Sequence, residues 1–357
     1  MSLPNKKGNG VSAKKITWDK DRREKLSEVL PLDTPLSLNI EASRACNIKC
    51  IYCVHSLPSE ELSNIGFKPG IMDPDVYFKI VEDCKGFEKK IKTIRFAGYG
   101  EPLMNKHLAK MIAYTKQSEI CEQVVVFTNA LLLNREVSKA LINAGADVFR
   151  ITVQGLSSQA YKTNAGVEID YKAFMNNLEY LYKIKDKCRI FIKIMKFAVD
   201  KEEEVFYDMF SDFSDEIAIE NVTKAYDKVD YGDIIQKENK LIVTGEHEMN
   251  RVQVCPYPFY MLTINADGKV SACCKGIDKV FFVGDVKQES LNQVWNNKRI
   301  NDFRIFQLKH TRFKHNTCKD CDSLDYAVPV SDRIDDQAER LSNIWSSFDV
   351  KNLTTAK

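Results

Sequence analysis

Residues 36–53 read LSLNIEASRACNIKCIYC. The first part alternates Leu36, Leu38 and Ile40 with Ser37, Asn39 and Glu41, the period of a β-strand. Cys46, Cys50 and Cys53 follow, spaced Cys-x3-Cys-x2-Cys. Three thiolates on one short loop suit a soft metal or an iron–sulfur centre. A structural zinc site takes four ligands and is closed, so zinc here would need a distant fourth donor such as His55. A four-iron cube held by three cysteines instead leaves one iron without a protein ligand. Spacing alone leaves both readings open.

Outward from this stretch the pattern repeats. Residues 92–96, 123–128, 148–153, 189–195 and 217–222 read as further strands, with QVVVFT the richest in β-branched residues. Residues 74–85, 106–118, 134–144, 171–185 and 201–211 read as helices between them, the third stopped by Gly145. Six strands alternating with helices make an α/β chain with a parallel sheet and right-handed crossovers. An open doubly wound sheet and an incomplete barrel both satisfy that pattern. In a barrel the chemistry sits at the C-terminal ends of the strands. The cysteine loop lies at one such end, and Gly98-Tyr99-Gly100-Glu101-Pro102 lies at the next. Before the first strand, residues 1–15 read as disordered. Residues 18–30 read as a short helix, interrupted by Pro31 and Pro35.

The alternation stops near residue 223. Residues 226–246 are polar and loop-like. FYMLTINADGKVSACC then reads as a hairpin turning at Asp267-Gly268, and residues 290–308 read as a helix. Cys255, Cys273, Cys318 and Cys321 lie in this smaller α+β part. Four thiolates from a hairpin and a Cys-x2-Cys loop hold zinc or a fully ligated [4Fe-4S] cluster equally well. The division expected is a tail and short helix over 1–35, a barrel over 36–225, a cluster domain over 226–328, and a helix or tail over 329–357.

Composition narrows the class. The chain has 357 residues and a net charge of +2, so no field of one sign points to nucleic acid or an anionic membrane. No run of about 18 apolar residues is present, and the N-terminus lacks a signal's apolar core; a cytoplasmic location is expected. The eleven cysteines are an odd number, which with the chain's length argues against a disulfide scaffold. Cys84, Cys121 and Cys188 read as core residues. Cys274, beside Cys273, reads as a packed neighbour, although it could replace Cys273 as a ligand.

The cysteine loop resembles the hallmark of the radical S-adenosylmethionine (SAM) superfamily, with Tyr52 as the aromatic residue before the last cysteine. Gly98-Tyr99-Gly100-Glu101-Pro102 is similar to that family's Gly-Gly-Glu-Pro turn, with Tyr99 as the departure. Thr128-Asn129-Ala130 stands where Thr-Asn-Gly is common. Thr152-Val-Gln154-Gly155 stands where Ser-x-Asp-Gly is common, with Gln154 replacing the acid. The resemblance implies a partial, TIM-like (β/α)6 barrel whose open iron chelates the methionine part of SAM. It further implies cofactor contacts from Tyr52, Gly98, Tyr99, Gly100, Glu101, Asn129 and Thr152, and a flavodoxin- or ferredoxin-type electron donor. Cys255, Gly268 and Cys273 look like the start of a SPASM or shortened twitch domain. With no cysteine after Cys321, one auxiliary [4Fe-4S] cluster is implied, as in a twitch-type aminocyclitol dehydrogenase.

The resulting reading is a radical SAM oxidoreductase. It generates a 5′-deoxyadenosyl radical, abstracts a substrate hydrogen and oxidises an alcohol or similar group on a sugar- or cyclitol-like molecule. The alternatives are radical epimerisation, peptide modification and, from another class, a non-catalytic zinc scaffold. Catalytic residues are not identifiable from sequence. Lys193, Lys196 and Glu220 qualify as bases by position only.

Overall fold

The structure is a computed structural model that describes residues 13–16, 24–222, 224, 226, 228–235, 252–274, 280–321, 324 and 328–355. Among the described residues, ten strands form one sheet. They are β1 (Lys14–Lys15), β2 (Ser37–Ile40), β3 (Ile91–Phe96), β4 (Cys121–Thr128), β5 (Val148–Val153), β6 (Arg189–Met195), β7 (Glu216–Glu220), β8 (Met261–Ile264), β9 (Lys269–Ser271) and β10 (Phe282–Asp285). Their order is β1-β7-β6-β5-β4-β3-β2-β8-β9-β10. All pairs from β2 to β7 are parallel. The architecture is therefore the partial barrel, with antiparallel strands at its C-terminal edge.

Strand chemistry sets the two faces. Val124, Val126, Phe149, Ile151, Val153, Ile190, Ile192 and Ile194 are buried in the main core, each contributing roughly 1.5–3 kcal/mol by leaving water. The alternate positions carry Phe127, Arg150, Phe191, Lys193 and Glu220. Arg150 sits over the Phe127 and Phe191 rings, at 5.4 and 4.6 Å, which marks this as the lumen side. Helices start where side chains cap them. Asp73, Asn134, Ser157 and Asp170 accept from backbone N–H groups of the first turns of helices Pro74–Cys84, Arg135–Asn143, Ser158–Ala165 and Tyr171–Ile184.

Several expectations need correction. Residues 14–15 are not disordered: β1 pairs with β7 in parallel and Ala13 is buried. Residues 1–12 lie outside the described residues. Of the helix expected over 18–30, only Leu26–Val29 is helical among the described residues; residues 17–23 lie outside them. The helix expected over 290–308 is two, Leu291–Asn296 and Lys298–Leu308. Asn297 is extended between them and caps the second through the Ile300 N–H, because an Asn side chain competes well with helical backbone bonding. Of the loop expected over 226–246, residues 227 and 236–246 lie outside the described residues. The chain's last helix is Ala338–Thr355. Two short helices carried no strong sequence signal, Ser59–Asn64 and Ser158–Ala165.

β8 pairs in parallel with β2, matching Ser37 to Met261 and Ile40 to Ile264. The C-terminal hairpin thus extends the sheet beside the strand that leads into the first cysteine loop. No helix among the described residues is long and apolar enough to cross a membrane.

Candidate functional site

Glu41 directly follows β2 and is 1% exposed. One carboxylate oxygen accepts from Arg44 Nε at 2.9 Å and from Ala266 N at 3.1 Å. The other accepts from Tyr99 N at 3.2 Å. One buried, charge-compensated carboxylate therefore joins the cysteine loop, the turn after β3 and the C-terminal hairpin. Sequence reasoning missed this role. The available signal was an acidic residue closing an apolar strand.

The three thiols of the loop are covered and sense one another. Burial pushes Cys46 up to about 11, with the Cys53 thiol adding to it. Burial raises Cys50 too, followed by the charges of Cys53 and Cys46, and burial raises Cys53. Opposing this, N–H groups of Asn47 and Ile48 reach Cys46, and those of Val54 and His55 reach Cys53. The Tyr226 hydroxyl also reaches Cys53. The Tyr52 hydroxyl donates to Gln154 at 2.8 Å and stands within hydrogen-bond reach of the Cys50 thiol. Thiols turned toward N–H and O–H donors, Cys50 buried and Cys46 and Cys53 half-buried, form a donor set that would suit anionic sulfur bound to a cationic metal centre. Among the described residues, no three His, Cys, Asp or Glu side chains stand grouped as ligands of a single ion. A four-iron cube is wider than one ion and does not require that grouping.

The turn after β3 packs on this loop. A Cβ on Gly100 would lie 2.4 Å from the carbonyl oxygens of both Ser43 and Ala45. A Cβ on Gly98 would lie 2.9 Å from Cγ of Glu41. Glu101 N donates to Ala45 O at 2.9 Å. The Tyr99 carbonyl accepts from His55 Nε2 at 2.7 Å, so that ring nitrogen serves the turn. Asn129 donates to Asn47 at 2.8 Å and lies 4.0 Å from Cys46 Sγ. Ala130 adopts φ 62°, the left-handed conformation that explains why glycine is common there. Thr152 is half-buried on β5, in register with Lys193.

Glu101 is 3% exposed. It accepts from Thr128 Oγ1 at 2.6 Å, Asn129 N at 2.7 Å and Leu103 N at 3.1 Å. Its side chain thus clamps the turn to the end of β4. Burial outweighs these donors and pushes it up to about 7. The folded protein then binds a proton that the unfolded chain releases, so stability falls as pH rises from about 4.5 to 7. Glu101→Gln is expected to flatten that slope. It also sets an NH2 group against a backbone donor, costing about 1–3 kcal/mol. Urea midpoints measured from pH 5 to 8 check both effects.

The second cysteine set is built around two buried side chains. Gln307 accepts from Cys255 N at 3.3 Å and donates to Cys318 Sγ at 3.6 Å. Arg312, 1% exposed, donates to the carbonyls of Val252 and Cys321 at 3.0 and 3.1 Å. Burial raises Cys255, as do the neighbouring Cys318 and Cys321, while Arg312 opposes the rise. Burial takes Cys318 up to about 11. A buried guanidinium beside several thiols suits an anionic cluster. Cys273 and Cys274 are half-buried on the hairpin side. Both raise Tyr99, after burial, and the Tyr99 hydroxyl donates to the Cys274 carbonyl at 3.4 Å. Tyr99 therefore stands between the two cysteine sets, with the Tyr226 ring 6.0 Å from its own. Cys84, Cys121 and Cys188 are buried, as expected of core residues.

The bases named by position separate clearly. Lys196 pairs with Glu203 on the following helix. Lys193 and Glu220 pair with each other at 2.5 Å, with side chains 16% and 10% exposed.

Two family profiles match the chain. Residues 40–209 match the radical SAM superfamily and residues 255–322 match an iron–sulfur cluster-binding domain, SPASM. The S-adenosyl-L-methionine-dependent 2-deoxy-scyllo-inosamine dehydrogenase of Niallia circulans is 19% identical over 80% of this chain and 92% of its own. The tungsten-containing aldehyde ferredoxin oxidoreductase cofactor-modifying protein of Pyrococcus furiosus is 21% identical over 80% and 86%. Among solved structures, BtrN with AdoMet and 2-DOIA aligns at TM-score 0.52 and 18% identity, covering 80% of this chain and 92% of that one. The structure of anSMEcpe with bound AdoMet aligns at TM-score 0.55 and 17% identity, covering 90% and 100%. These structural likenesses concern the fold.

Proposed function

Because residues 40–209 match the radical SAM superfamily and residues 255–322 match an iron–sulfur cluster-binding domain behind the barrel, we propose that the chain is a radical SAM enzyme that oxidises a hydroxyl-bearing small molecule by two electrons. The radical-generating barrel spans residues 36–225 and the auxiliary domain 226–328. Cys46, Cys50 and Cys53 hold the open cluster, which supplies the 5′-deoxyadenosyl radical from SAM. Cys255, Cys273, Cys318 and Cys321 hold the closed one. Tyr52, Gly98, Tyr99, Gly100, Glu101, Asn129 and Thr152 line the cofactor's place. Glu101 contributes by holding the turn, and Asn129 by fixing the loop beside Cys46.

One observation carries the reading. The first cysteine loop leaves β2 and Cys273 follows β9 of the same sheet, with the Tyr99 N–H donating to Glu41 and its hydroxyl to the Cys274 carbonyl. Radical formation needs the first set alone. A second, fully ligated cluster has no open iron, so its use is to take or give single electrons. A substrate radical beside a hydroxyl has one electron to lose. The named activity of the N. circulans relative, a dehydrogenase on an aminocyclitol, supports oxidation of a cyclitol- or sugar-like molecule here. The reducing electron comes from a flavodoxin- or ferredoxin-type protein in the cytoplasm.

The test is anaerobic reconstitution and assay. About eight iron and eight sulfide per chain are expected, with 5′-deoxyadenosine formed from SAM under dithionite. Oxidation leaves no solvent deuterium at the reacting carbon, whereas epimerisation places one there. A colourless protein with about two zinc ions and no 5′-deoxyadenosine would overturn the reading.

A further inference from the structure

Lys193 and Glu220 stand at the C-terminal ends of β6 and β7. In a parallel sheet this is the end from which the cysteine loop leaves β2 and the GYGEP turn leaves β3. Lys193 donates to Glu220 Oε2 at 2.5 Å. Among the described residues, Glu220 Oε1 is buried and has no hydrogen-bond partner. Arg150, on the lumen side of β5, stacks between Phe127 and Phe191 and senses the charge of Glu220. Thr152 lies in register with Lys193, and Gln154 beyond it meets Tyr52 of the cysteine loop.

A carboxylate oxygen withdrawn from water and left without a donor calls for a donor from elsewhere. The ammonium beside it still has hydrogens to give. Together they read a group that is both donor and acceptor, which is a hydroxyl. An amine is disfavoured at this point, because Lys193, Arg150, Arg95 and Arg189 outnumber the carboxylates of Glu220 and Glu216.

We propose that Glu220 and Lys193 seat the reacting secondary alcohol of a polyhydroxylated substrate, with Glu220 as its proton acceptor. On substrate binding, Glu220 turns Oε1 out of its buried place to accept the O–H, and Lys193 donates to the same oxygen. When the 5′-deoxyadenosyl radical takes the carbon's hydrogen atom, 5′-deoxyadenosine forms and a hydroxyl-bearing carbon radical remains. The O–H proton passes to Glu220 and one electron leaves to a [4Fe-4S] acceptor of the auxiliary class. The C–O single bond becomes a carbonyl. This assignment rests on the oxidative reading above and adds the residues that perform it.

Binding is measured calorimetrically on the reconstituted protein with SAM, using scyllo-inositol and 2-deoxy-scyllo-inosamine as probes and cyclohexanol as the single-hydroxyl control. At least one polyol is expected to bind saturably and more tightly than cyclohexanol. Glu220→Gln should weaken it at least about tenfold while SAM affinity holds. Glu220→Asp, which keeps the carboxylate, should retain part of the binding. With the bound polyol as substrate, Glu220→Gln should lower ketone formed per 5′-deoxyadenosine at least about tenfold. The assignment is overturned if neither polyol binds, if Glu220→Gln matches wild type, or if it loses SAM affinity in parallel. Should Glu220→Gln not fold, judged by iron content, Glu220→Asp and Lys193→Gln carry the same comparison. Wild-type protein that makes no 5′-deoxyadenosine would defeat the oxidative reading, yet the binding comparison would still be readable.

Discussion

Cys50→Ala protein, rebuilt with iron and sulfide, is expected to hold about four iron per chain instead of about eight. It should release no 5′-deoxyadenosine above background. Cys50 is buried between Cys46 and Cys53, and both raise its thiol. A cube held by three thiolates already has one open iron. Removing one of the three thiolates leaves two anchors, and His55 Nε2 is engaged with the Tyr99 carbonyl, so that ring nitrogen is not a ready substitute. A fall of at least about 10⁴-fold, roughly 5.5 kcal/mol of lost barrier reduction, is the expected scale. Cys255→Ala separates the two centres. It should also lose about four iron, yet still cleave SAM, because Cys46, Cys50 and Cys53 are untouched. Iron analysis, electron paramagnetic resonance and 5′-deoxyadenosine chromatography check both proteins. A Cys50→Ala protein with full iron and normal cleavage would remove the loop from the chemistry.

Much of this site could be read from the chain because its parts are local. The six central strands are apolar runs of period two, bounded by turns, and they fold as read. The cysteine loop declares itself by spacing. What could not be read depends on residues far apart. Glu41 binds Tyr99 and Ala266, which are 58 and 225 positions away. Tyr226 reaches Cys53 from a stretch whose composition says only loop. The pairing of β8 with β2 likewise leaves no mark in either strand's sequence. β1 was missed for another reason. Lys14 and Lys15 are two exposed charges with no apolar period, and only β7 beside them makes the strand. Lys193 and Glu220 could be placed at strand ends from sequence. That they meet as diagonal neighbours on adjacent strands follows from the parallel register, which sets Lys193 opposite Ala218 and Met195 opposite Glu220, and which a sequence does not print.

Gly100→Ala is expected to be the most damaging single-methyl change in the cofactor turn. The added Cβ would meet the carbonyl oxygens of Ala45 and Ser43 at 2.4 Å and the carbonyl carbon of Arg44 at 2.7 Å. These are backbone atoms of the cysteine loop, so no side chain can swing away. The loop and the turn are also bonded, Glu101 N to Ala45 O at 2.9 Å. Relief therefore means separating the two segments proposed to form the cofactor's place. A loss above about 4 kcal/mol belongs to such named backbone clashes. Gly70→Ala is the matched control, since its Cβ would meet only the Ala266 Cβ at 3.9 Å; its effect should stay within about 0.5 kcal/mol. Urea midpoints give the stability difference, and SAM binding to reconstituted protein gives the functional one. If Gly100→Ala keeps the wild-type midpoint and loses only SAM affinity, the turn moves independently of the fold. If it keeps both, the cysteine loop yields freely, and the close approach at Gly100 plays no part in holding SAM.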